Sequence, residues 1–301
     1  MSAKSWFKFF YVGLMWGTSF LWIKIGLQAF QPLAHTTLRI AVAVAGLFLF
    51  SLKSHPWKYF RENWKELTIL GMINIAIPFV LLTYSQQSIS SSLGSILNST
   101  TPLFTIALAP WLLRDERWSA ARLIGVGLGF TGVIVLVSGQ SGASGINQVS
   151  GVLMMLGAAL SYALAVIYAR WKANDIPADI QAFGQNLVAL LVIAPLTWVV
   201  EGPLQLPPFS LAWVSIIWIG IFSVFIGTIL YFSLLKDAGP TRTSMAIYLY
   251  PLVGVFSGAV FLREPLDWRV FAGGLMILAG VAAVNTNWRF KLPGRSEKSS
   301  S

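Results

Sequence analysis

The chain has 301 residues, of which 56% are hydrophobic and only 11% charged, with a mean hydropathy of +0.70. A soluble domain carries about 25% charged residues, so the composition excludes an ordinary soluble protein and points to one that crosses a membrane many times. The absence of cysteine excludes disulfides, thiol catalysis and thiolate metal sites. The formal charge of +10 sits in short segments between apolar runs, where it sets membrane topology; no nucleic-acid partner is expected.

Crossing roughly 30 Å of hydrocarbon takes about 20 apolar helical residues. The pattern predicts ten spans, near 9–28, 35–52, 67–86, 93–113, 121–138, 149–170, 178–200, 212–235, 241–262 and 269–287. The first run, Phe9 to Leu27, lacks the small-residue cleavage site of a signal peptide and reads as a transmembrane helix. If the N-terminus is cytoplasmic, basic residues gather on the cytoplasmic side, from Lys4 and Lys8 through Lys53, Lys58, Arg61 and Lys65 to Arg289 and Lys291. The opposite loops then hold only Arg263 and Arg269. This bias places both termini in the cytoplasm. Connections are short, so function must lie inside the bundle.

The second half repeats the first. Residues 84–133 contain YSQQSISSSLGSILNSTTPLF, LLRDE and IGVGLGFTGV; residues 233–281 contain SLLKDAGPTRTSMAIYLYPLV, FLREP and AGGLMILAGV. Pro102 answers Pro251, Glu116 answers Glu264, Gly125 answers Gly273 and Gly132 answers Gly280. Five spans per half, an odd number, make the second copy enter the bilayer from the opposite side. The expected architecture is an all-α membrane protein, its ten transmembrane helices forming a 5+5 inverted-topology repeat around a central cavity. Its units are 1–143 and 144–288, followed by a polar tail, 289–301. Inverted repeats of this kind build alternating-access carriers with a site near the bilayer midplane.

Gly125-x-x-x-Gly129 and Gly254-x-x-x-Gly258 have the spacing that lets helices approach closely, within one bundle or across a dimer. A monomer is expected, with a dimer as the alternative. Pro78, Pro102 and Pro251 lie inside spans, where each frees a carbonyl and permits a bend. They are the candidate hinges of a gate.

Substrate-binding candidates are the polar and aromatic groups that lipid would not tolerate without a partner or a cavity. Ser95, Asn98 and Thr101 form the most polar stretch, on the fourth span, and Ser244 and Tyr248 are its counterparts on the ninth. Trp22, Tyr84 and Tyr162 sit beside small or polar residues and suit a flat amphipathic ligand. Lys24 and Arg39 are the cations available to a substrate carboxylate, Arg39 having the better fork. His35 reads as an interfacial polar residue. No Asp or Glu lies in the interior of a span, all eleven falling in loops, tails or helix ends, which favours a facilitative carrier over a proton-coupled one. Glu116 and Glu264 close their helices as cap, ion pair or gate.

In the opening GLMWGTSFLWIK, in Pro32 with Arg39, and in the duplicated Pro102, Glu116, Gly125 and Gly132 pattern, the chain resembles the EamA-type family of the drug/metabolite transporter superfamily. The resemblance covers nearly the whole chain. It implies ten helices in two inverted sets, cytoplasmic termini, and export or exchange of small metabolites. The aromatic-rich helices look most like bacterial exporters of aromatic amino acids and related drugs. The function expected is export of amino acids, aromatic or bulky apolar, by a protein that is not an enzyme and needs no cofactor or metal. A proton-coupled multidrug or metabolite exporter is the alternative.

Overall fold

The computed structural model describes residues 2–54, 56–113, 116, 118–138, 145–173, 175–239, 242–243 and 245–285, and among these every regular element is helical. The first set comprises α1 (Ala3–Gly26), α2 (Pro32–Ser51), α3 (Trp64–Ser88), α4 (Ser91–Asn98), α5 (Thr101–Leu112) and α6 (Ala120–Val137), with a short helix Pro56–Glu62 between α2 and α3. The second comprises α7 (Gly145–Lys172), α8 (Ala178–Glu201), α9 (Leu211–Ala238), α10 (Met245–Phe261) and α11 (Trp268–Asn285). Six helices, α2, α3, α6, α7, α8 and α9, are long and apolar enough to cross a membrane; α10 and α11 are shorter apolar helices. Large apolar side chains stand outward, Val199 at 80% and Trp111 at 79% exposure, as a lipid-facing surface allows and an aqueous one penalises.

The two sets are interleaved. Helix α6 packs on α11, α2 on α8, α4 on α10 and α3 on α7, while α1 runs against α9 and α10. The central apolar cluster accordingly draws Phe20, Leu97 and Leu103 from the first set and Met155, Ile219 and Ile277 from the second. The small-residue spacings work inside the bundle. A methyl group at Gly280 of α11 would lie 2.5 Å from the Gly125 carbonyl oxygen of α6, so the two backbones nearly touch. Gly254 and Gly258 of α10 leave notches that receive Ser95 and the pair Ser91 and Ser92 of α4.

Three departures from regular helix have local causes. The span expected at 93–113 is two helices, parted at Ser99 and Thr100, with Pro102 in the first turn of α5 rather than at a mid-helix kink. The matching stretch of the second set, Met245–Tyr248, is a tight 3₁₀ turn before α10 continues through Pro251. Helix α3 widens to π geometry over Gly71–Ala76. There Ile77 N–H reaches back five residues to the Met72 carbonyl. Pro78 has no N–H for the next such bond, so the Ile73 carbonyl is left over, and Ser161 of α7 donates to it at 2.6 Å.

Helix α9 has a π stretch at the matching place, Trp218–Ile226. Gly227 occupies the position of Pro78, and its missing side chain lets the Trp16 indole of α1 donate to the Ser223 carbonyl at 2.8 Å. Helix α1 itself begins at Ala3, well ahead of residue 9, because Ser2 caps it and accepts from Ser5 N–H at 3.2 Å.

Adding one methyl group between touching backbones costs about 1–3 kcal/mol. Gly280→Ala should therefore lower the thermal unfolding midpoint in detergent, whereas Gly127→Ala, with nothing within 4 Å of the new methyl, should leave it within error.

Candidate functional site

Arg39 is the centre of the buried chemistry. It stands on α2, 2% exposed, with its guanidinium over the Phe79 ring at 4.6 Å. One nitrogen, Nη2, donates to Thr83 Oγ1 at 3.1 Å and more weakly to the Phe79 carbonyl at 3.4 Å. Its Nε is buried without a partner. Thr83 is fixed in turn by donating to the Phe79 carbonyl at 2.7 Å, and it touches Thr36 at 3.1 Å. Among the described residues no carboxylate lies within 4 Å of Arg39; the ion pairs there involve Lys8, Arg122, Arg170 and Arg269. A buried guanidinium without an anion costs several kcal/mol, and two neutral acceptors offset only part of that.

Around this charge the bundle gathers aromatic rings. Tyr162 of α7 is within electrostatic range of Arg39, and also of Tyr250 on α10. Tyr250 packs edge-on against Trp16 of α1 at 5.8 Å, and Trp16 lies 5.3 Å from Tyr231 of α9. Trp16, Tyr231 and Tyr250, from three helices, are thus joined by ring contacts, with Tyr162 within electrostatic range of both Tyr250 and Arg39. Such a group can hold a carboxylate at one end and a flat apolar body along the rings.

The remaining candidates spread over the interior. Trp22 packs against Trp218 of α9 with ring centroids 5.2 Å apart and the planes tilted by 30°, where the Trp218 indole nitrogen is buried without an acceptor. Asn98 is partly buried and its Oδ1 is unpartnered. Thr101 donates to the Asn98 carbonyl at 2.8 Å, which closes the turn after the α4 break. Ser95 is fully buried and donates to the Ser92 carbonyl at 2.8 Å, so its role is packing in the Gly254 notch. Tyr84 packs with Leu33 and Ile40 and feels the Glu201 carboxylate. Tyr248 packs against the central cluster, and Ser244 lies outside the described residues. Lys24 is partly buried within electrostatic range of Glu264, not Arg39.

His35 is fully buried rather than interfacial, its Nε2 3.1 Å from Ser215 Oγ. Ser215 gives its proton to the Ala212 carbonyl, so Nε2 is the donor. The sequence reading did not single out Trp16, Phe79, Thr83, Tyr231, Tyr250 or Trp218.

The acidic groups finish helices. Glu201 at the end of α8 accepts from Leu33 and Ala34 N–H, at 2.7 and 2.8 Å, and so caps α2. Glu264 accepts from Ser91 N–H at 2.6 Å, from Ser92 N–H at 3.0 Å and from the Ser92 hydroxyl at 2.6 Å, and so caps α4. Glu116, its repeat mate, instead accepts from Arg122 at 2.8 Å and Arg170 at 2.7 Å. Among the described residues no cluster of three metal-ligating side chains occurs.

An interleaved helical bundle with an apolar surface and a buried cation that has no carboxylate partner among the described residues has the makings of a membrane transporter for small molecules. The comparisons place it more narrowly. The model of the EamA-like transporter family matches the chain twice, over residues 4–138 and 149–286, and the chain belongs to that family. It is a multi-span membrane transporter of two-repeat architecture and not an enzyme. Relatives include "Uncharacterized transporter YvbV" of Bacillus subtilis, 25% identical with 91% of this chain and 88% of that protein covered. An "Uncharacterized transporter" of Archaeoglobus fulgidus is 28% identical, covering 93% and 98%. "Uncharacterized inner membrane transporter YedA" of Escherichia coli K12 is 23% identical, covering 89% and 86%. One crystal structure superposes with TM-score 0.64 at 18% identity over 94% of this chain and 96% of that one, a likeness of fold alone.

Partial burial raises the Glu116 carboxyl, but hydrogen bonds and charge from Arg170 and Arg122 outweigh it and hold the group below its ordinary 4.5. Its contribution to stability is whole above that value and is lost as pH falls through the depressed one. Between about pH 6 and about pH 3, the unfolding midpoint of the native protein should fall further than that of Glu116→Gln, as read by differential scanning fluorimetry in detergent.

Proposed function

We propose that the protein is an alternating-access carrier that exports small amphipathic carboxylates, aromatic and bulky apolar amino acids foremost, by facilitated movement across the bacterial inner membrane. The observation that carries this reading is the buried Arg39 guanidinium, which has an unpartnered nitrogen and no carboxylate partner among the described residues. A substrate carboxylate would supply the missing anion through a charge-assisted bond. Phe79 beneath it and the Tyr162, Tyr250, Tyr231 and Trp16 group beside it suit a flat side chain. A multidrug pump for cations is disfavoured, because the described carboxylates Glu201 and Glu264 are committed to helix N-termini.

In this reading ten helices cross the bilayer as two inverted units, 1–143 and 144–288, with both termini cytoplasmic and the Glu264 end outermost. The first unit contributes a helix broken at Ser99 and Thr100, and the second a helix that opens with the 3₁₀ turn Met245–Tyr248 at the matching place. Discontinuous helices at matching places of two repeats are where carriers form their sites. Pro102 and Pro251 lie just beyond these breaks and serve as hinges.

The test is efflux from proteoliposomes loaded with labelled phenylalanine. A hydrogen bond to a charged group is worth about 1.5–3 kcal/mol, so Arg39→Ala should slow phenylalanine efflux at least tenfold, to order of magnitude. Movement of phenethylamine, which lacks the carboxylate, should be slow in both proteins, and 3-phenylpropanoate should compete with phenylalanine. Equal losses for phenylalanine and phenethylamine would remove Arg39 as the carboxylate partner.

A further inference from the structure

We infer that the site has a second pole, an ammonium subsite made by the side-chain amides of Gln86 and Asn98, which makes the carried molecule a zwitterionic α-amino acid. The subsite rests on Arg39 as the carboxylate partner proposed above. It adds the groups that distinguish an amino acid from a plain acid of the same shape.

Gln86 stands near the C-terminal end of α3, fully buried, and neither its Oε1 nor its Nε2 meets a hydrogen-bonding partner. Among the described residues no other side chain has two polar atoms in that condition. The amide packs where Gly94 of α4 leaves room. A methyl group at Gly94 would strike the Gln86 nitrogen and come within 3.2 Å of the Met155 methyl of α7. A leucine or methionine would suit such an apolar notch better, because a buried amide without partners forfeits its hydration and gains no bond in return. A ligand that brings its own polar group would restore those bonds.

Helix geometry puts this amide beside the Arg39 contact. Phe79, Thr83 and Gln86 follow one another at spacings of four and three, which is one face of α3. Arg39 lies over the Phe79 ring and donates to Thr83. Gln86 is the next step along the same face, about 4.5 Å beyond Thr83. Helix α7 repeats the arrangement, since Met155 and Tyr162 are seven residues apart and share a face. Met155 reaches the Gly94 notch, and Tyr162 is within electrostatic range of Arg39. On α4, which also packs on α7, Asn98 follows Gly94 by four residues. The α4 face that Gln86 touches therefore presents a second amide one turn on, its Oδ1 buried and unpartnered.

Neutral amides are the right chemistry for this pole. Their oxygens accept from an ammonium, yet they carry no charge to pair with Arg39. A carboxylate at either position would occupy the guanidinium and shut out the substrate's own. In an α-amino acid the nitrogen stands about 2.5 Å from the carboxylate carbon. A carboxylate on Arg39 thus brings the ammonium within reach of a long side chain one turn along α3, and leaves the apolar part for the rings.

The test is the ligand-dependent rise of the unfolding midpoint of the full chain in detergent. It is titrated with L-phenylalanine and with 3-phenylpropanoate, which lacks the ammonium. Phenylalanine should half-saturate the native protein at a concentration about tenfold or more below that of 3-phenylpropanoate. In Gln86→Met the two values should converge, phenylalanine weakening while 3-phenylpropanoate stays as it was. Asn98→Ala should narrow the gap in part, and it carries the test if Gln86→Met does not fold. A gap that survives in the folded Gln86→Met protein, or equal weakening of both ligands, would make Gln86 a structural amide and overturn the subsite. Equal binding of both ligands by the native protein would overturn it too, with Arg39 left as the carboxylate partner. Binding of neither ligand would overturn the Arg39 assignment and the subsite together.

Discussion

Lipid supplies no hydrogen bonds, so every irregularity of backbone inside the membrane must be completed by protein. In this bundle the completing group comes repeatedly from the other half of the chain. Ser161 completes the π stretch of α3, Trp16 that of α9, Glu201 caps α2 and Glu264 caps α4. Neither half could fold into its observed shape alone without leaving carbonyl or N–H groups bare. The close contact of α6 with α11 at Gly125 and Gly280 follows the same division of labour, each half providing the smooth face the other needs.

The same constraint singles out Arg39, on which the proposed function rests. Many buried polar groups elsewhere in the bundle find partners; Asn74 has Gln185 at 2.7 Å and Lys8 has Asp237, while neutral His35 meets Ser215 through one ring nitrogen. Arg39 keeps a full charge, two neutral acceptors and an open nitrogen. A site left short of one anion is stabilised by whatever anion enters it, and the rings around it bias that choice toward a flat, apolar body. Binding and specificity then share one physical origin. In the proposed carrier, the breaks beside Pro102 and Pro251 are the hinges.

Much of the architecture was legible because duplication leaves paired marks. Pro102 with Pro251, Glu116 with Glu264 and the glycines of α6 and α11 all show in the letters. The π stretches were not legible, since Pro78 and Gly227 look unrelated and act alike only in opening a carbonyl to a side chain. The aromatic group was missed for a different reason. With 13 Trp and 20 Phe, no local pattern separates rings that face lipid from Trp16 and Tyr250, which face inward. His35 and Glu264 depended on Ser215 and Ser91, partners 180 and 173 residues away, and no spacing rule reaches that far. Arg39 was visible as a lone cation in an apolar run; its want of a carboxylate partner emerged only from the packing.

The account stands on two halves that complete each other while running in opposite directions through the bilayer. The most direct measurement compares matched positions, with single cysteines at Trp118, after α5, and at Asp267, after α10, labelled by an impermeant reagent in intact cells and in inverted vesicles. The account predicts labelling of the Asp267 position in cells and of the Trp118 position in inverted vesicles alone. Labelling of both positions from the same face would contradict it.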